Sequence, residues 1–518
     1  MSLTWGTLQK PRGQSTEYVR VLSAFQGELS LNNRWVKLAQ IIPWDHIEEE
    51  YMAQLNPEEG RPALNSRIAF GAIFIKEYMN FTDEETALAI SENPGMQYFL
   101  GQHAYRDEPL FDSSMMVHFR KRFSANTLAK INECICTGRW PEEIRNVDRN
   151  KENDEEHDDL QPPSDEADSQ DGGGTHKRRQ KGQKNRNTSK KKEKKRKKKN
   201  HGKLILDATV APADIKYPTD LDLLNKSREH LEHAIDLLWP YVPHTSHKLP
   251  YSSKIARKSY LNLAKSKKWT KAKCRKAVGE QLHYVALAME RLEKMKELVP
   301  DWPVCFPYWL HARLKVIPLV YTQQKEMYEN NSHKCENRIC SLEQPHVRPI
   351  KRGKRPIPTE FGQKLHLSIV DGYAYLEQTS WENFNEGTDL QAAVHEFYRR
   401  FGHYPAAILA DKIYQTMANR KFCKELGIRL SGPPLGRPKA GKTDAVRNRQ
   451  MYRDACERNV VESRNGNAKR RFGLDRIMAK LDETAKTEAI LNIIAMNAAR
   501  RVARWLALFS RFWTPRLA

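Results

Sequence analysis

Two opposite charge blocks lie side by side near residue 150 of this 518-residue chain. Between Asp148 and Asp171 there are eleven acidic and two basic residues, whereas Lys177 to Lys199 holds fifteen Lys and Arg and one Glu. Because the stretch has almost no apolar side chains, it cannot bury a core, and we predict a disordered linker over residues 141–202. The basic half is either an arm that binds phosphates or a solvated linker that the acidic half partly neutralises.

The charge balance of the whole chain predicts an anionic partner. Lys and Arg number 87 against 64 Asp and Glu, which gives a formal charge of +23. The chain outside the two blocks is also basic, so nucleic acid is the expected partner. No apolar run approaches the ~20 residues that cross a bilayer, and the first residues have no apolar signal core. We therefore expect a cytoplasmic protein with no membrane partner.

The residues before the linker have the pattern of a helical domain. Apolar residues recur at helical spacing from Trp35 to Phe123, which predicts a helical N-terminal domain over residues 1–140. Thr82 and Glu85 fit a capping box at the start of one of these helices. A short basic helix over Ser113–Phe123 either contacts a phosphate backbone or is an ordinary amphipathic helix. Its candidate DNA-binding residues are Arg120, Lys121 and Arg122.

The residues after the linker predict a sheet interrupted by helices. An apolar run at Leu204–Leu206 predicts a buried strand that ends in Asp207, and the run before Asp411 predicts another. Alternating residues on both sides of Asp371-Gly372 predict a hairpin. We place the core at residues 203–220 and 346–485, a helical insertion with one basic face at 221–345, and a C-terminal helix at 486–518.

Three carboxylates in this region could perform metal-dependent chemistry. Asp207 and Asp411 follow strands, and Glu462 lies on a predicted helix. Carboxylates from such elements can hold two divalent cations about 4 Å apart, which activate a water or a 3′-OH for phosphoryl transfer. Alternatively, each Asp simply ends a strand in solvent, and Arg458 pairs with Glu462 one helical turn away. Lys469 and Arg470 on the same helix could contact DNA phosphates.

Several segments resemble the DDE-type bacterial insertion-sequence transposases, of the insertion-sequence-five kind. They include DATVAPADI (207–215), GHYPAAILADKIY (402–414), VVESRNGNAKRRFGLDRIMAKL (460–481) and LNSRIAFGAIFIKEYMNFTDEETALAISENPGMQYFLG (64–101). The resemblance spans almost the whole chain. The spacing of Arg458, Glu462 and Lys469 matches that of the signature of related transposases. A tyrosine of that signature is replaced by Ala455, and Asn465 and Gly466 stand where bulkier apolar residues are expected.

The resemblance implies an α/β RNase H-like catalytic core, with a mixed five-stranded sheet flanked by helices. It further implies that Asp207, Asp411 and Glu462 form a catalytic triad that binds Mg²⁺, for which Mn²⁺ can substitute. The expected partner is double-stranded DNA, both terminal inverted repeats and target, which the N-terminal domain and Lys412, Arg458, Lys469 and Arg470 would contact. The resemblance further implies a bacterial protein that associates with the nucleoid. It also implies a homodimer or a higher oligomer in a synaptic complex.

Two other functions remain open at this stage. One is an inactive transposase relic that binds DNA as a repressor, and the other is an RNase H-like nuclease without strand transfer. Two minor sites also have alternatives. His333, Cys335, Cys340 and His346 have the composition but not the usual spacing of a zinc site. Trp381 and Asn385 could contact DNA bases. Alternatively, Trp381 packs beneath the sheet.

Overall fold

A computed structural model describes residues 29–55, 63–142, 199–243, 253–352, 359–433 and 445–513. Nearly all of the predicted linker, residues 143–198, lies outside the described residues. No helix of the described ranges is long and apolar enough to cross a membrane.

The described residues before the linker form seven helices. Their order is α1 (Arg34–Ile41), α2 (Trp44–Met52), α3 (Ser66–Met79), α4 (Asp83–Glu92), α5 (Pro94–Phe99), α6 (Met115–Lys121) and α7 (Ala125–Thr137). The predicted capping box is confirmed, since Glu85 N donates to Thr82 Oγ1 over 3.1 Å and Thr82 N donates to Glu85 Oε2 over 2.8 Å. The predicted basic helix is α6.

The described residues after the linker form a mixed sheet of six strands. These are β1 (Lys203–Pro212), β2 (Arg348–Lys351), β3 (Thr359–Val370), β4 (Tyr373–Ser380), β5 (Ala407–Leu409) and β6 (Arg429–Leu430). Their order is β2-β3-β1-β5-β6, and β4 also pairs with β3. β1, β5 and β6 are parallel, whereas β3 runs antiparallel to β1, β2 and β4. The mixed sheet with its flanking helices is consistent with an RNase H-like fold.

The predicted number of five strands is wrong by one. The additional strand is β2, which pairs with the first residues of β3 while β4 pairs with the rest of it. Only four residues long, β2 carries no alternation that a sequence pattern could detect, and its existence depends on its distant partner. The hairpin prediction is confirmed, because Val370 pairs with Tyr373 across Asp371 and Gly372, which both have positive φ (51° and 80°).

Four helices flank the sheet. They are α12 (Leu390–Phe401), α13 (Met417–Glu425), α14 (Ala445–Arg471) and α15 (Asp482–Trp513). Alternate β1 residues pack on opposite sides: Leu204 and Leu206 share a core with α12 and α13, whereas Ile205 shares one with α14 and α15. By this alternation Asp207 points to the same side of the sheet as Ile205, toward α14.

The N-terminal helices and α15 form one core with the sheet. Buried residues of α3, α6 and α7 pack against α15, in the same apolar cluster as β3. A buried ion network adds polar contacts, because Glu133 of α7 accepts hydrogen bonds from Arg399 and Arg400 of α12, and Arg400 also binds Glu377 of β4. These contacts hold the N-terminal helices directly against the sheet.

The helices between β1 and β2 have a core of their own. They are α8 (Asp220–Leu238), α9 (Ser253–Ala264), α10 (Lys271–Leu298) and α11 (Tyr308–Glu329). Buried side chains of α8, α10 and α11, among them Leu231, Val285 and Ile317, make up this core. A smaller cluster of Leu221, Leu263 and Ala277 joins α9 to α8 and α10.

Candidate active site

Asp207 lies in the middle of a strand rather than at its end. β1 continues to Pro212 because residues 205–212 pair with β3, so the prediction that the strand stops at Asp207 is wrong. Only the first residues of β1 pair with β5, where Ile205 stands opposite Leu409. Asp207 therefore lies two residues beyond the part of β1 that pairs with β5. At Asp207, the edge of β1 that faces β5 has no partner strand among the described residues.

Asp411 follows β5, as predicted. It is the residue before a short 3-10 helix, Lys412–Tyr414. When the pairing of Ile205 with Leu409 is continued by two residues, Asp207 and Asp411 stand opposite each other. Since neighbouring strands lie about 4.8 Å apart, the two carboxylates start from adjacent positions on one side of the sheet.

One side of α14 completes the site. Val461 and Ala468 are buried in the core that α14 shares with the sheet. Residues at the neighbouring helical positions line a cleft of about 870 Å³ together with Asp207 and Asp411. These α14 residues, spaced by three or four, are Arg458, Glu462, Asn465 and Lys469. The structure thus brings all three predicted carboxylates to one cleft.

Both aspartates have hydrogen-bond partners on α14. Arg458 Nη1 donates to Asp411 Oδ1, so among the described residues Arg458 pairs across to the end of β5 and not along its helix with Glu462. Asn465 Nδ2 donates to Asp207 Oδ2 over 3.1 Å. Burial raises the pKa of Asp207, an effect that the Ala208 backbone N–H and the positive charges of Arg458 and Arg352 partly oppose. Glu462 is exposed to solvent.

Four charged residues of the cleft were not predicted: Lys351, Arg352, Lys364 and Glu386. Lys364 of β3 donates to the Phe384 carbonyl over 2.6 Å and forms an ion pair with Glu386. Arg352 donates to the Ala208 carbonyl over 3.2 Å, next to Asp207. No local sequence pattern marks these residues, because their place in the cleft depends on how segments distant in the sequence pack together. The one weak signal in the sequence was a lysine, Lys364, within the apolar alternation of β3.

The predicted DNA-binding residues lie in different environments. Lys469 lines the cleft, whereas Lys412 and Arg470 are exposed beside lining residues. The three predicted cations in and next to α6 differ in their partners and exposure. Arg120 makes a bidentate bond with Asp83 over 2.8 and 2.7 Å, and Arg122 lies over the ring of Tyr51. Of these three, Lys121 is the exposed one, and DNA contact by this region stays a prediction.

The donor chemistry of the cleft suits a hard divalent cation. Three carboxylates open into one space, and carboxylate oxygens are preferred ligands of Mg²⁺. Among the described residues, however, no three His, Cys, Asp or Glu side chains are close enough together to hold a metal ion. In this conformation Asp411 is bonded to Arg458 instead.

The structure also bears on two alternatives raised by the sequence. Within the described ranges, His333, Cys335, Cys340 and His346 do not come together as a metal-binding group, so the structure adds no support for zinc there. Trp381 is buried and its Nε1 donates to Asp482 Oδ1 over 2.5 Å. The packing interpretation of Trp381 is therefore confirmed. Asn385 lines the cleft, and its Oδ1 accepts a bond from Gly387 N.

Two family models match parts of the chain. A family model described as "Transposase DDE domain" matches residues 408–499, and one described as "Transposase domain (DUF772)" matches residues 23–122. In both matched regions the chain is similar to DDE-type insertion-sequence transposases. The first match contains Asp411 and Glu462, while Asp207 lies before it. Together the two matches support a DNA transposase.

A curated relative is the uncharacterized protein ORF8 in the nfe locus of Rhizobium meliloti. It is 33% identical over 96 residues, which cover 18% of this chain and 46% of that protein. The chain thus matches less than half the length of this relative. No solved structure matches the chain.

Proposed function

We propose that this DNA transposase cleaves the ends of an insertion sequence and joins the freed 3′-OH ends to target DNA. In this proposal Asp207, Asp411 and Glu462 are the catalytic carboxylates and bind Mg²⁺, or Mn²⁺ in its place. The observation that carries the proposal is that side chains from β1, the end of β5 and α14 line a single cleft. Such a set of oxygen ligands suits two-metal phosphoryl transfer.

The protein's own residues would prepare the site for the reaction. Asn465 orients the Asp207 carboxylate through its hydrogen bond, and Arg458 forms an ion pair with Asp411, a carboxylate that would be a ligand of a bound cation. When bound, the metal ions would activate the water or 3′-OH and stabilise the leaving oxygen. No covalent bond between protein and DNA is needed for either step.

Cations around the cleft would position the DNA. Lys469 lies inside the cleft, and Lys412 and Arg470 are exposed beside it, so all three are suited to contact phosphates. We further propose that the N-terminal helices recognise the terminal inverted repeats. Synapsis of two ends would then require a homodimer or a higher oligomer.

The decisive experiment is cleavage and joining of DNA that carries the repeats flanking the gene, with and without Mg²⁺. The full chain is compared with Asp411→Asn and with Asp475→Asn, which changes an exposed carboxylate outside the cleft lining. We expect Asp411→Asn to bind DNA but to lose cleavage by at least a hundredfold, whereas Asp475→Asn keeps both activities.

The products separate this proposal from its alternatives. Cleavage without joined products would favour a nuclease that lacks strand transfer. Tight binding to the repeats without any cleavage by the unmodified protein would favour a repressor-like relic. Cleavage that persists in Asp411→Asn would refute the assignment of Asp411.

A further inference from the structure

The helical insertion carries a strongly basic surface that the catalytic cleft does not include. From Lys254 to Lys276, across α9 and the start of α10, there are ten Lys and Arg residues and no Asp or Glu. Every one of these cations is exposed. The rest of α10 is different, because residues 280–298 hold three basic and four acidic residues. Positive charge is therefore concentrated at one end of the insertion.

The helices that carry these cations are held in place by their inner sides. Ala256, Leu263 and Ala277 are buried between them. Gln281 Nε2 donates to the Ala256 carbonyl over 3.0 Å, and Tyr260 Oη donates to Asp222 Oδ1 over 2.6 Å. Since apolar and hydrogen-bonding groups point inward and cations point outward, the surface is a defined platform rather than a flexible tail.

A groove of about 570 Å³ runs along α9 on this platform. It is lined by Lys254, Arg257, Lys258 and Lys265, with Asn262 and Ser266 between them. Cationic side chains interspersed with amide and hydroxyl groups are the usual contacts to phosphate and sugar. Lys265 comes eleven positions after Lys254, a distance of about 16 Å at 1.5 Å per residue. Phosphates of one DNA strand repeat every ~3.4 Å along the axis, so the row covers about five of them.

The partners of these cations differ along the platform. Within the described residues, no ion pair with a carboxylate involves Lys254, Lys258 or Lys265, while Arg275 packs on Tyr328 and donates to Asn331. On the acidic half of α10, by contrast, Lys294 pairs with Glu290 and Lys296 with Glu293. Solubility alone does not require that the unpaired cations be grouped at one end of the insertion and the paired ones at the other.

We propose that this platform, α9 with the start of α10, is a second DNA-binding surface, which contacts the phosphate backbone of duplex DNA without reading its sequence. The proposal rests on the proposed function, because it assumes that the polyanion is the transposase's DNA. It assigns to the insertion a binding role separate from the chemistry of the cleft.

The test is the salt dependence of binding of the full chain to duplex DNA. The triple variant Lys254→Gln, Lys258→Gln and Lys265→Gln is compared with a control in which Arg291, Lys294 and Lys296 are changed to Gln. Each removes three positive charges from the insertion. A third variant replaces the same three lysines by Arg, which keeps the charge and so separates the loss of charge from the loss of the lysine side chains themselves.

The slope of log K against log salt is negative, and each lost phosphate contact makes it less steep by about 0.9. The Gln triple variant should therefore have a slope that is less steep by up to about 2.7. The control and the Arg variant should keep the slope of the unmodified protein. An unchanged slope in the α9 variant would overturn the proposal. So would a selective loss of binding to single-stranded RNA with duplex binding intact, which would assign the platform to RNA.

Failure of this inference can be told apart from failure of the proposed function. If the unmodified protein cleaves and joins DNA but the α9 variant keeps its salt slope, only the platform assignment falls. If the slope changes but no cleavage occurs with Mg²⁺, the platform binds DNA and the catalytic proposal falls.

Discussion

The ion network between the N-terminal helices and the sheet offers a sharp test of the fold. Arg400 donates to both oxygens of Glu377 over 2.6 and 3.0 Å and to Glu133 over 3.3 Å. The side chains of Arg400 and Glu377 are only 7% and 5% exposed. Arg400→Met keeps most of the apolar stem but leaves the Glu377 carboxylate buried without its main partner. Breaking a buried pair in this way costs about 3–5 kcal/mol of unfolding free energy.

Two controls make the assay specific. Arg399 binds the same Glu133 but is 27% exposed, so Arg399→Met should cost less, about 1 kcal/mol. The double variant Arg400→Met, Glu377→Met removes both charges and should recover at least half of the loss. The measurement is urea-induced unfolding of the full chain, followed by tryptophan fluorescence. A loss below about 1 kcal/mol in Arg400→Met, or no recovery in the double variant, would refute the reasoning.

Three further predictions concern the site, the hairpin and a buried carboxyl. Asn465→Leu removes the bond to Asp207 and should lower the Mg²⁺ affinity or the cleavage rate about 10- to 100-fold; unchanged values in calorimetry and in the cleavage assay would contradict the positioning role. Gly372→Ala should cost about 1–2 kcal/mol in urea unfolding, because φ is +80°; a neutral result would argue against this turn. Burial raises the pKa of Glu77 from 4.5 to about 7, so the folded protein retains a proton that the unfolded chain releases. Stability should therefore fall as pH rises across this interval, and Glu77→Gln should flatten the dependence; parallel curves for the two proteins would exclude Glu77 as the cause.

Local signals in the sequence determined much of the secondary structure. The capping pair Thr82 and Glu85 marked the start of α4, and Asp371-Gly372 marked the hairpin, because such contacts involve residues three or fewer positions apart. The continuous apolar run before Asp411 predicted β5, and all three residues of that strand are buried in the structure. The motif resemblance also indicated the transposase similarity that the two family models report, and it suggested the three carboxylates.

Only the tertiary structure decided how these pieces meet. Asp207 lies within a strand because β3 continues to pair beyond the end of β5, and no pattern near Asp207 reports the length of its partners. Asn465 stood out in the sequence as a departure from the family pattern, yet across the fold it is the hydrogen-bond partner of Asp207. Likewise, Arg120 is engaged by Asp83, which is 37 residues away. Contacts between distant residues depend on how whole elements pack, so the chain's local periodicity determines the elements and the packing determines the site.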